Sequence, residues 1–374
     1  MKSFFLSGVW FAASWAVLSC IGLPVPDATE TGEAILKFPE DHRLHANALF
    51  ETTDFIDWLY FTGIAAEEGT GGEYGFFVTL YRVYHADLGD YVHYFQLSVS
   101  EVSTGAHPFD DVLALLADVE AGFDWQRGER YWRFADVDIT LTYWETSDQW
   151  DLWATNGKEG NEETVVNVSM RNVNGDYVAE TPSAIIEMGR CTQYDVWSLA
   201  GLSYYYSNPD LTTTGTLKLD GQTHTVSGRT WMDHQWGNFS ETCTLNYDWL
   251  SLRFADGSAM MVFNFRDENQ DEVLDKRQLS YFPARGQPRY WYGADAFTLT
   301  PLRSYTSTAT GHTYPVDWIL TTPVGTYGIR PHFDEQTCRG EVDAEPFWEG
   351  MCRLHQDGLE GPVIGTVFME LYGY

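Results

Sequence analysis

Alternation of apolar and polar residues with a period of two recurs along most of this chain. It is clearest in the stretches "YGFFVTLYRVYH", "YVHYFQLSVSEV", "VDITLTYWET" and "TVVNVSMRNV". This alternation predicts β-strands, and turn signals such as "GTGGE", "NVNGD" and "KLDGQ" separate them at short intervals. Because closing or stacking a sheet protects its exposed edges, many short antiparallel strands favour a barrel or a sandwich. We therefore predict an all-β fold with little helix.

One segment departs from this alternation. In "FDDVLALLADVE", residues 109–120, the apolar residues recur at helical spacing. The overlapping stretch "HPFDD" is typical of a helix start. We expect a helix over these residues.

The length of the chain indicates two barrels. Its 374 residues suffice for two ordinary domains and a large buried core. No proline-rich or serine-rich linker divides the chain, so we expect the two barrels to share a packed interface. We predict an N-terminal barrel over residues 45–225 and a C-terminal barrel over residues 226–374, with the change of domain between about Thr213 and Cys243.

The acidic composition excludes several classes of partner. The formal net charge is −32, from 54 acidic against 22 basic residues. Such a chain repels phosphate backbones and anionic lipid headgroups. We therefore expect no nucleic-acid partner, and contact with a membrane only through an export signal or a lipid anchor.

The first 20 residues predict export. In "MKSFFLSGVWFAASWAVLSC" one lysine precedes an apolar run that is too short, at roughly 15 residues, to span a bilayer comfortably. Cys20 follows "VLS", which resembles a bacterial lipoprotein cleavage site, and an ordinary secretory signal cleaved nearby is the alternative. We expect an exported protein, either a periplasmic or outer-membrane lipoprotein lipidated at Cys20, or a secreted one.

The cysteines are compatible with export. Beyond Cys20 there are four, an even number that suits two disulfides in an oxidising compartment, and four cysteines allow three pairings. We favour Cys338 with Cys352, whose separation suits the two arms of a hairpin, and Cys191 with Cys243. No CxxC spacing, Walker loop, HExxH or dinucleotide fingerprint occurs, so we predict neither a metal site nor a cofactor.

The stretch "TWMDHQWGNF", residues 230–239, is unusual for a strand because each face mixes apolar and polar groups. Trp231 and Asp233 alternate onto one face, and His234 and Trp236 onto the other. A carboxyl group in apolar surroundings has a raised pKa and can act as an acid. Aromatic rings nearby can stabilise a carbocation by cation–π attraction, on the order of 2 kcal/mol or more when desolvated. We interpret Asp233 as a proton donor, and a structural carboxylate bonded to backbone amides is the alternative.

Several motifs, taken in order, resemble the lipocalin-like carotenoid 1,2-hydratase family, also called hydroxyneurosporene synthases, and its exported bacterial relatives. They are "DWLYFTG", "SYYYSNPDLTTTGTL", "VSGRTWMDHQWG", "YDWLSLRFADGSAMMVFNFR", "GHTYPVDWIL", and "FWEG" with "FMELYGY". The resemblance implies two tandem lipocalin-like β-barrels and an extended apolar ligand, isoprenoid or polyene-like. Better known members add water to an isolated double bond of a carotenoid, fungal relatives resemble pericyclases, and many bacterial members are labelled secreted hydrolases.

The chemistry and the resemblance together give the candidate site residues. Asp233, His234 and Asp248 are the catalytic candidates, and His234 with Trp236 resembles the His-x-Trp pair of the hydratase cavity. The aromatic residues expected to contact the ligand are Trp58, Tyr60, Tyr205, Trp231, Trp236, Tyr247, Trp249 and Trp348. Filling the barrel cores is the alternative role for these rings. Two roles, second acid or partner of an arginine, are open for Glu187, Glu349 and Glu370.

Two functional classes fit these observations. The first is an enzyme that hydrates or rearranges an apolar lipid without a cofactor, as a hydro-lyase or an isomerase or cyclase. The second is a non-catalytic carrier that binds an apolar lipid on the cell envelope. A secreted hydrolase is a weaker third hypothesis, because the sequence has no GxSxG elbow. One feature distinguishes the enzyme from the carrier: in an enzyme Asp233 and His234 face the ligand.

Overall fold

The structure is a computed structural model. It describes residues 36–38, 40–42, 45, 55–85, 89–115, 119–124, 129–134, 139–156, 164–173, 177–187, 202–238, 246–266, 271, 276–340 and 345–374. The predicted signal over residues 1–20, Cys20 itself and the pair Cys191 and Cys243 lie outside these residues. Nowhere in the described part of the chain is there a helix both long and apolar enough to cross a bilayer.

Thirteen strands form the first sheet, and every neighbouring pair is antiparallel. They are β1 (Phe55–Glu67), β2 (Glu73–His85), β3 (Asp90–Glu101), β4 (Phe109–Leu115), β5 (Val119–Asp124), β6 (Glu129–Phe134), β7 (Ile139–Trp144), β8 (Gln149–Thr155), β9 (Val165–Arg171), β10 (Val178–Ala179), β11 (Ile185–Glu187), β12 (Leu202–Leu219) and β13 (Gln222–Asn238). The order across the sheet is β4-β3-β2-β1-β13-β12-β9-β8-β7-β6-β5, and the short strands β10 and β11 pair with β12.

Ten strands form the second sheet, again all antiparallel. They are β14 (Asn246–Phe254), β15 (Ala259–Arg266), β16 (Gln278–Phe282), β17 (Arg289–Tyr292), β18 (Thr298–Thr306), β19 (Thr313–Thr322), β20 (Gly325–Pro331), β21 (Thr337–Cys338), β22 (Phe347–Gln356) and β23 (Val363–Tyr372). The order is β17-β16-β15-β14-β23-β22-β20-β19-β18, and β21 pairs with β22.

The predicted fold class is confirmed: the chain forms two curled antiparallel sheets, consistent with two tandem lipocalin-like barrels. Among the described residues, the helical structure is limited to the 3-10 turn Glu40–His42 and one further residue in 3-10 conformation, Lys276. The chain passes from the first sheet to the second between Asn238 and Asn246, so the whole of β13 belongs to the first sheet.

The hairpin of β12 and β13 shows how local sequence sets the register. Leu219 pairs with Gln222, so the turn has only two central residues, Asp220 and Gly221. Both have positive φ, 50° and 76°, as a type I′ turn requires, and Asp-Gly is a favoured sequence for this turn. The turn thereby fixes which side chains of the two long strands lie opposite each other.

The predicted helix over residues 109–120 is wrong. Residues Phe109–Leu115 form β4, which pairs with β3, and β5 begins at Val119. Phe109 contacts Phe77 and Phe347, while Val112 packs toward the interior of the first barrel. The ladder with β3 satisfies the backbone, and Phe109 and Val112 are half-buried against two different cores, so tertiary pairing overrides the short helical pattern.

Three hydrophobic cores follow from the two curled sheets. The first-barrel core lies inside the first sheet and includes Phe61, Trp150 and Met232. The second-barrel core lies inside the second sheet and includes Trp318. The inter-barrel core contains residues of both sheets, such as Trp231 and Trp249, and joins the barrels as the sequence analysis expected.

The predicted disulfide between Cys338 and Cys352 is wrong, because both cysteines are free and buried. Cys338 lies opposite Phe347 in the β21–β22 ladder, and Cys352 is five residues farther along β22. That offset is about 16 Å along a strand, whereas bridged Cα atoms lie within about 7 Å. The two thiols also point into different cores, the inter-barrel core for Cys338 and the second-barrel core for Cys352.

We expect both thiols to be reduced in the folded protein and protected from reagents. Burial raises the pKa of Cys338 and of Cys352 well above the ordinary value, which suppresses the reactive thiolate. Iodoacetamide should leave both unmodified in the native protein and modify both in denaturant without reductant, as peptide mass spectrometry can show. A cross-linked peptide pair containing Cys338 and Cys352 would contradict this expectation.

Candidate active site between the two barrels

Residues 230–237 of strand β13 are buried on both faces of the strand, which explains the mixed stretch at residues 230–239. Trp231 belongs to the inter-barrel core and Asp233 bonds to it, whereas Met232 and Trp236 belong to the first-barrel core. Because neither face meets solvent, the polar side chains of both faces must bond to other protein groups. Residues on one face of this part of the strand therefore lie in the inter-barrel core, and residues on the other face lie in the first-barrel core.

The three predicted catalytic residues lie in three separate places. Asp233 lies between the barrels, and His234 faces the interior of the first barrel, where it contacts Tyr206 and Asp57. Asp248 lies on the second-barrel side of β14, since its neighbours Tyr247 and Trp249 face the inter-barrel core.

Asp248 is held by a network at the end of the chain. Its carboxylate accepts hydrogen bonds from Asn264 Nδ2 over 2.8 Å and from the hydroxyl of Tyr374 over 2.7 Å. The guanidinium of Arg266 lies 3.3 Å away. Removing one partner from such a buried group is costly. This arrangement suits a structural acid that fixes the C-terminus.

Asp233 accepts three side-chain hydrogen bonds in a nearly dry environment. The hydroxyl of Tyr205 donates to Oδ2 over 2.7 Å, the indole N–H of Trp231 donates to Oδ1 over 2.6 Å, and the hydroxyl of Ser207 also contacts Oδ1. The residue is 3% exposed. The alternative role of Asp233 in the sequence analysis was a structural carboxylate bonded to backbone amides. Its three donors here are side chains instead.

Ser207 stands between two acids. Its hydroxyl oxygen contacts a carboxyl oxygen of Asp233 and a carboxyl oxygen of Glu180. A hydroxyl group has one proton and can donate to one of them, so the other contact requires a proton on the carboxyl group. At least one of the two acids is therefore protonated. The three groups, here called the acid relay (Glu180, Ser207 and Asp233), form a chain along which a proton can pass.

Burial explains why a proton stays on this pair. Burial raises the pKa of Asp233 to about 7, although the bonds from Ser207, Tyr205 and Trp231 oppose the shift. Burial also raises the pKa of Glu180 well above its ordinary value, and the charge of Asp233 adds to the effect. Among the described residues, no basic side chain forms an ion pair with either acid. An acid that titrates near neutrality is well suited to proton transfer.

The second barrel contributes a further pair of acids. Glu349 on β22 lies opposite Glu370 on β23. The hydroxyl of Tyr60 donates to Glu349 across the barrel interface, and that of Tyr247 donates to Glu370 over 2.7 Å. Burial and the charge of Glu370 raise the pKa of Glu349 well above its ordinary value. Glu349 is thus a second buried acid with a raised pKa, and its hydrogen-bond partner is a tyrosine rather than an arginine.

Aromatic side chains surround both pairs of acids. Six of the eight predicted ligand-contacting residues lie in or against the inter-barrel core, namely Trp58, Tyr60, Tyr205, Trp231, Tyr247 and Trp249. The indole N–H of Trp249 donates to the hydroxyl oxygen of Tyr205 over 3.0 Å, which connects the second barrel to the acid relay. Trp236 lies instead in the first-barrel core and Trp348 in the second-barrel core.

The first barrel holds a separate group with metal-ligand chemistry. His45, Asp57 and His234 place one ligand atom each within 4.8 Å of one another. These residues are distant in sequence, and their spacing matches no metal motif, so the sequence analysis missed them. The group faces away from the acid relay because Asp233 and His234 point to opposite sides of β13.

Sequence reasoning also missed Glu180 and Ser207. Glu180 follows the two-residue strand β10, and its carbonyl oxygen accepts bonds from Gln278 Nε2 over 2.9 Å and from Ser280 Oγ over 2.6 Å. The second barrel thus holds the backbone that presents this acid. A lone glutamate in "YVAETPS" has no local signal for such a role; only the pairing of β12 with β10 and β13 brings the acid relay together.

The raised pKa of Glu349 predicts a pH-dependent stability. A folded-state pKa above the ordinary 4.5 means that the folded chain holds the proton more tightly, so this stabilisation is present below pH 4.5 and is lost as pH rises. The free energy of unfolding of the wild type relative to Glu349→Gln should therefore fall as pH rises from 5 to 7. Urea unfolding at both pH values measures it.

Glu335→Gln is the matched control. Burial opposes the shift, but hydrogen bonds from Thr337, Ser307 and Thr308 lower the pKa of Glu335 to about 2, so its stabilisation is lost only as pH falls below about 4.5. The difference in free energy of unfolding between Glu335→Gln and the wild type should stay constant between pH 5 and pH 7. A constant difference for Glu349→Gln as well would show that Glu349 is ionised in the folded protein.

Comparisons with known proteins agree with this architecture. The sequence profile of the AttH-like family matches residues 29–374. Among solved structures, the chain is similar to a Nitrosomonas europaea protein described as AttH, with 23% identity and a TM-score of 0.74 over 94% of this chain and 99% of that chain. No curated protein matches the chain.

Two further solved structures share the fold at lower identity. Kievitone hydratase from Nectria haematococca is 18% identical, with a TM-score of 0.61 over 85% of this chain and 89% of that chain. CghA is 13% identical, with a TM-score of 0.52 over 86% of this chain and 90% of that chain. The family profile spans the strands of both barrels and every residue of the acid relay, and the protein therefore belongs to the AttH-like family.

Proposed function

We propose that this protein binds an extended, apolar, unsaturated ligand between its barrels and catalyses a cofactor-free, acid-assisted hydration or rearrangement. The observation that carries the proposal is the acid relay, in which one hydroxyl group lies between two buried carboxyl groups. This geometry keeps a proton on a carboxyl group that is surrounded by aromatic rings. An alkene without a nearby metal or activating group needs such an acid.

In the proposed reaction Asp233 is the proton donor. Its proton forms a C–H bond with one carbon of the double bond, and the two π electrons of the alkene make that bond. The partner carbon becomes a carbocation, which the faces of Trp231 and Trp249 stabilise by cation–π attraction, on the order of 2 kcal/mol or more in a desolvated site. The carboxylate left behind keeps its three donors, so the developing charge is stabilised.

Water or a second double bond completes the reaction. Addition of water to the carbocation and loss of one water proton to Asp233 gives an alcohol and restores the acid, so hydration is balanced without an oxidant or reductant. Attack by a second double bond, followed by loss of a proton, gives a rearranged or cyclised product. In both reactions the released proton returns to Asp233 either directly or by way of Glu180, which takes it up while Ser207 passes a proton on to Asp233. Oε2 of Glu180 is buried and has no hydrogen-bond partner in the described part of the chain, which leaves it available to a ligand or water.

The family context supports a reaction of this class. One solved structure with the same fold bears the name of a hydratase. We also propose that the protein acts outside the inner membrane, as a lipoprotein or a secreted protein, because the first 20 residues have the pattern of an export signal. An isoprenoid-like lipid of the cell envelope is the corresponding substrate class.

The test uses Asp233→Asn, which keeps the shape of the side chain and removes the acid. Purified protein is incubated with a linear carotene such as lycopene in detergent micelles, and products are detected by the mass increase of one water or by altered retention at constant mass. Turnover should fall about 100-fold or more in Asp233→Asn, in line with general acid catalysis. Glu180→Gln should cause a smaller loss, because only the return of the proton is affected.

Asp317→Asn is the control, since it removes a buried carboxyl group that pairs with Arg303 far from the acid relay. It should keep wild-type turnover. Binding is followed separately by quenching of tryptophan fluorescence, with Trp249→Leu expected to weaken it. Binding of the carotene with no product in the wild type would favour the carrier function, and full activity in folded Asp233→Asn would remove Asp233 as the acid.

A further inference from the structure

The interior of the first barrel contains two histidines and an aspartate in contact. His234 Nε2 lies 2.8 Å from Asp57 Oδ1, although the residues are 177 positions apart. His45 Nδ1 lies 3.3 Å from Asp57 Oδ2. Asp57 and His234 are fully buried, and the side chain of His45 is 16% exposed. These three residues are here called the histidine cluster. They connect β1, β13 and the N-terminal segment, which is the part of the chain before β1 that contains His45.

Neighbouring groups hold each ring in place. The hydroxyl of Tyr206 lies 3.1 Å from Nδ1 of His234, and Trp236 stacks on His45 with ring centroids 3.9 Å apart and an interplanar angle of 8°. The backbone N–H of His45 also donates to Asp57 Oδ2. Groups that orient the ligands from outside are typical of metal sites, because they fix tautomer and direction.

One atom of the histidine cluster is poorly satisfied by protein groups alone. Nδ1 of His45 is buried and makes no well-aligned hydrogen bond with any described residue, although Asp57 Oδ2 is only 3.3 Å away. A proton on Nδ1 or a cation between the two atoms would satisfy both of them. One ligand atom from each residue of the histidine cluster lies within 4.8 Å of the others, so small side-chain adjustments would bring all three onto one ion at metal–ligand distances of about 2 Å.

We propose that His45, Asp57 and His234 bind one divalent transition-metal ion, with Zn²⁺ or Co²⁺ as the fitting class. Two imidazoles and one carboxylate are a common ligand set for these ions. Asp41 Oδ1 lies 3.3 Å from Nε2 of His45, so the partly exposed edge of His45 is an acidic entry path for a cation. The ion would tie the N-terminal segment to the wall of the first barrel.

The experiment uses the full chain without a polyhistidine tag, dialysed against chelator and then titrated with ZnCl₂ by calorimetry. Wild type should bind one Zn²⁺ per chain, and CoCl₂ should give visible absorption bands typical of a nitrogen and oxygen site. His234→Gln and His45→Gln should each weaken Zn²⁺ binding by about 100-fold or more, as loss of a ligand exceeds the 10- to 100-fold effect of outer groups.

His224→Gln is the matched control. His224 also lies on β13 and bonds a carboxylate of β1, Glu67, over 2.8 Å, but it is outside the histidine cluster. It should bind Zn²⁺ like the wild type, and Zn²⁺ should raise the thermal midpoint of both. Circular dichroism checks folding; His45→Gln, at the partly exposed edge, provides the readout if His234→Gln does not fold. Absence of stoichiometric binding in the wild type, or unchanged affinity in folded His45→Gln, would overturn the proposal.

Discussion

The burial of residues 230–237 of β13 on both faces is the constraint on which the rest of the structure depends. This part of the strand has no solvent face, so its polar side chains need partners inside the protein. Asp233 finds its partners between the barrels, in Tyr205, Ser207 and Trp231. His234 finds its partners inside the first barrel, in Asp57 and Tyr206. Adjacent residues on one strand thus belong to two separate polar sites.

The inter-barrel site gathers acids in a protein that is already strongly acidic. Glu180, Asp233 and Glu349 are all buried, and no basic group among the described residues forms an ion pair with them. Tyrosine hydroxyls, a serine hydroxyl and an indole N–H take the place of arginine and lysine. Neutral donors stabilise a carboxylate less than a cation does, so protons remain on the acids. This choice of partners distinguishes the inter-barrel acids from the ion-paired network around Asp248.

The two barrels contribute unequally to that site. The first barrel supplies the acid relay on β12, β13 and the segment after β10, and the second supplies Trp249, Glu349 and the groups of β16 that hold the backbone of Glu180. Neither barrel alone assembles the arrangement. A change in how the barrels pack would therefore alter the chemistry before it altered either sheet. This dependence gives a physical reason for a two-barrel chain if the proposed site lies at the interface.

The sequence by itself determined the all-β class, the two barrels and the aromatic character of the site, because period-two alternation and Asp-Gly turns such as Asp220-Gly221 are local properties. It also singled out Asp233, since a mixed strand face is visible in ten residues. The helix over 109–120 and the disulfide between Cys338 and Cys352 were wrong, because strand pairing and register depend on distant residues. Only the tertiary structure decided that Asp233 meets Glu180 through Ser207, and that His234 meets Asp57 instead. The physical reason is that side chains on one strand are assigned to interiors by what packs on each face, and that packing is formed by parts of the chain far away in sequence.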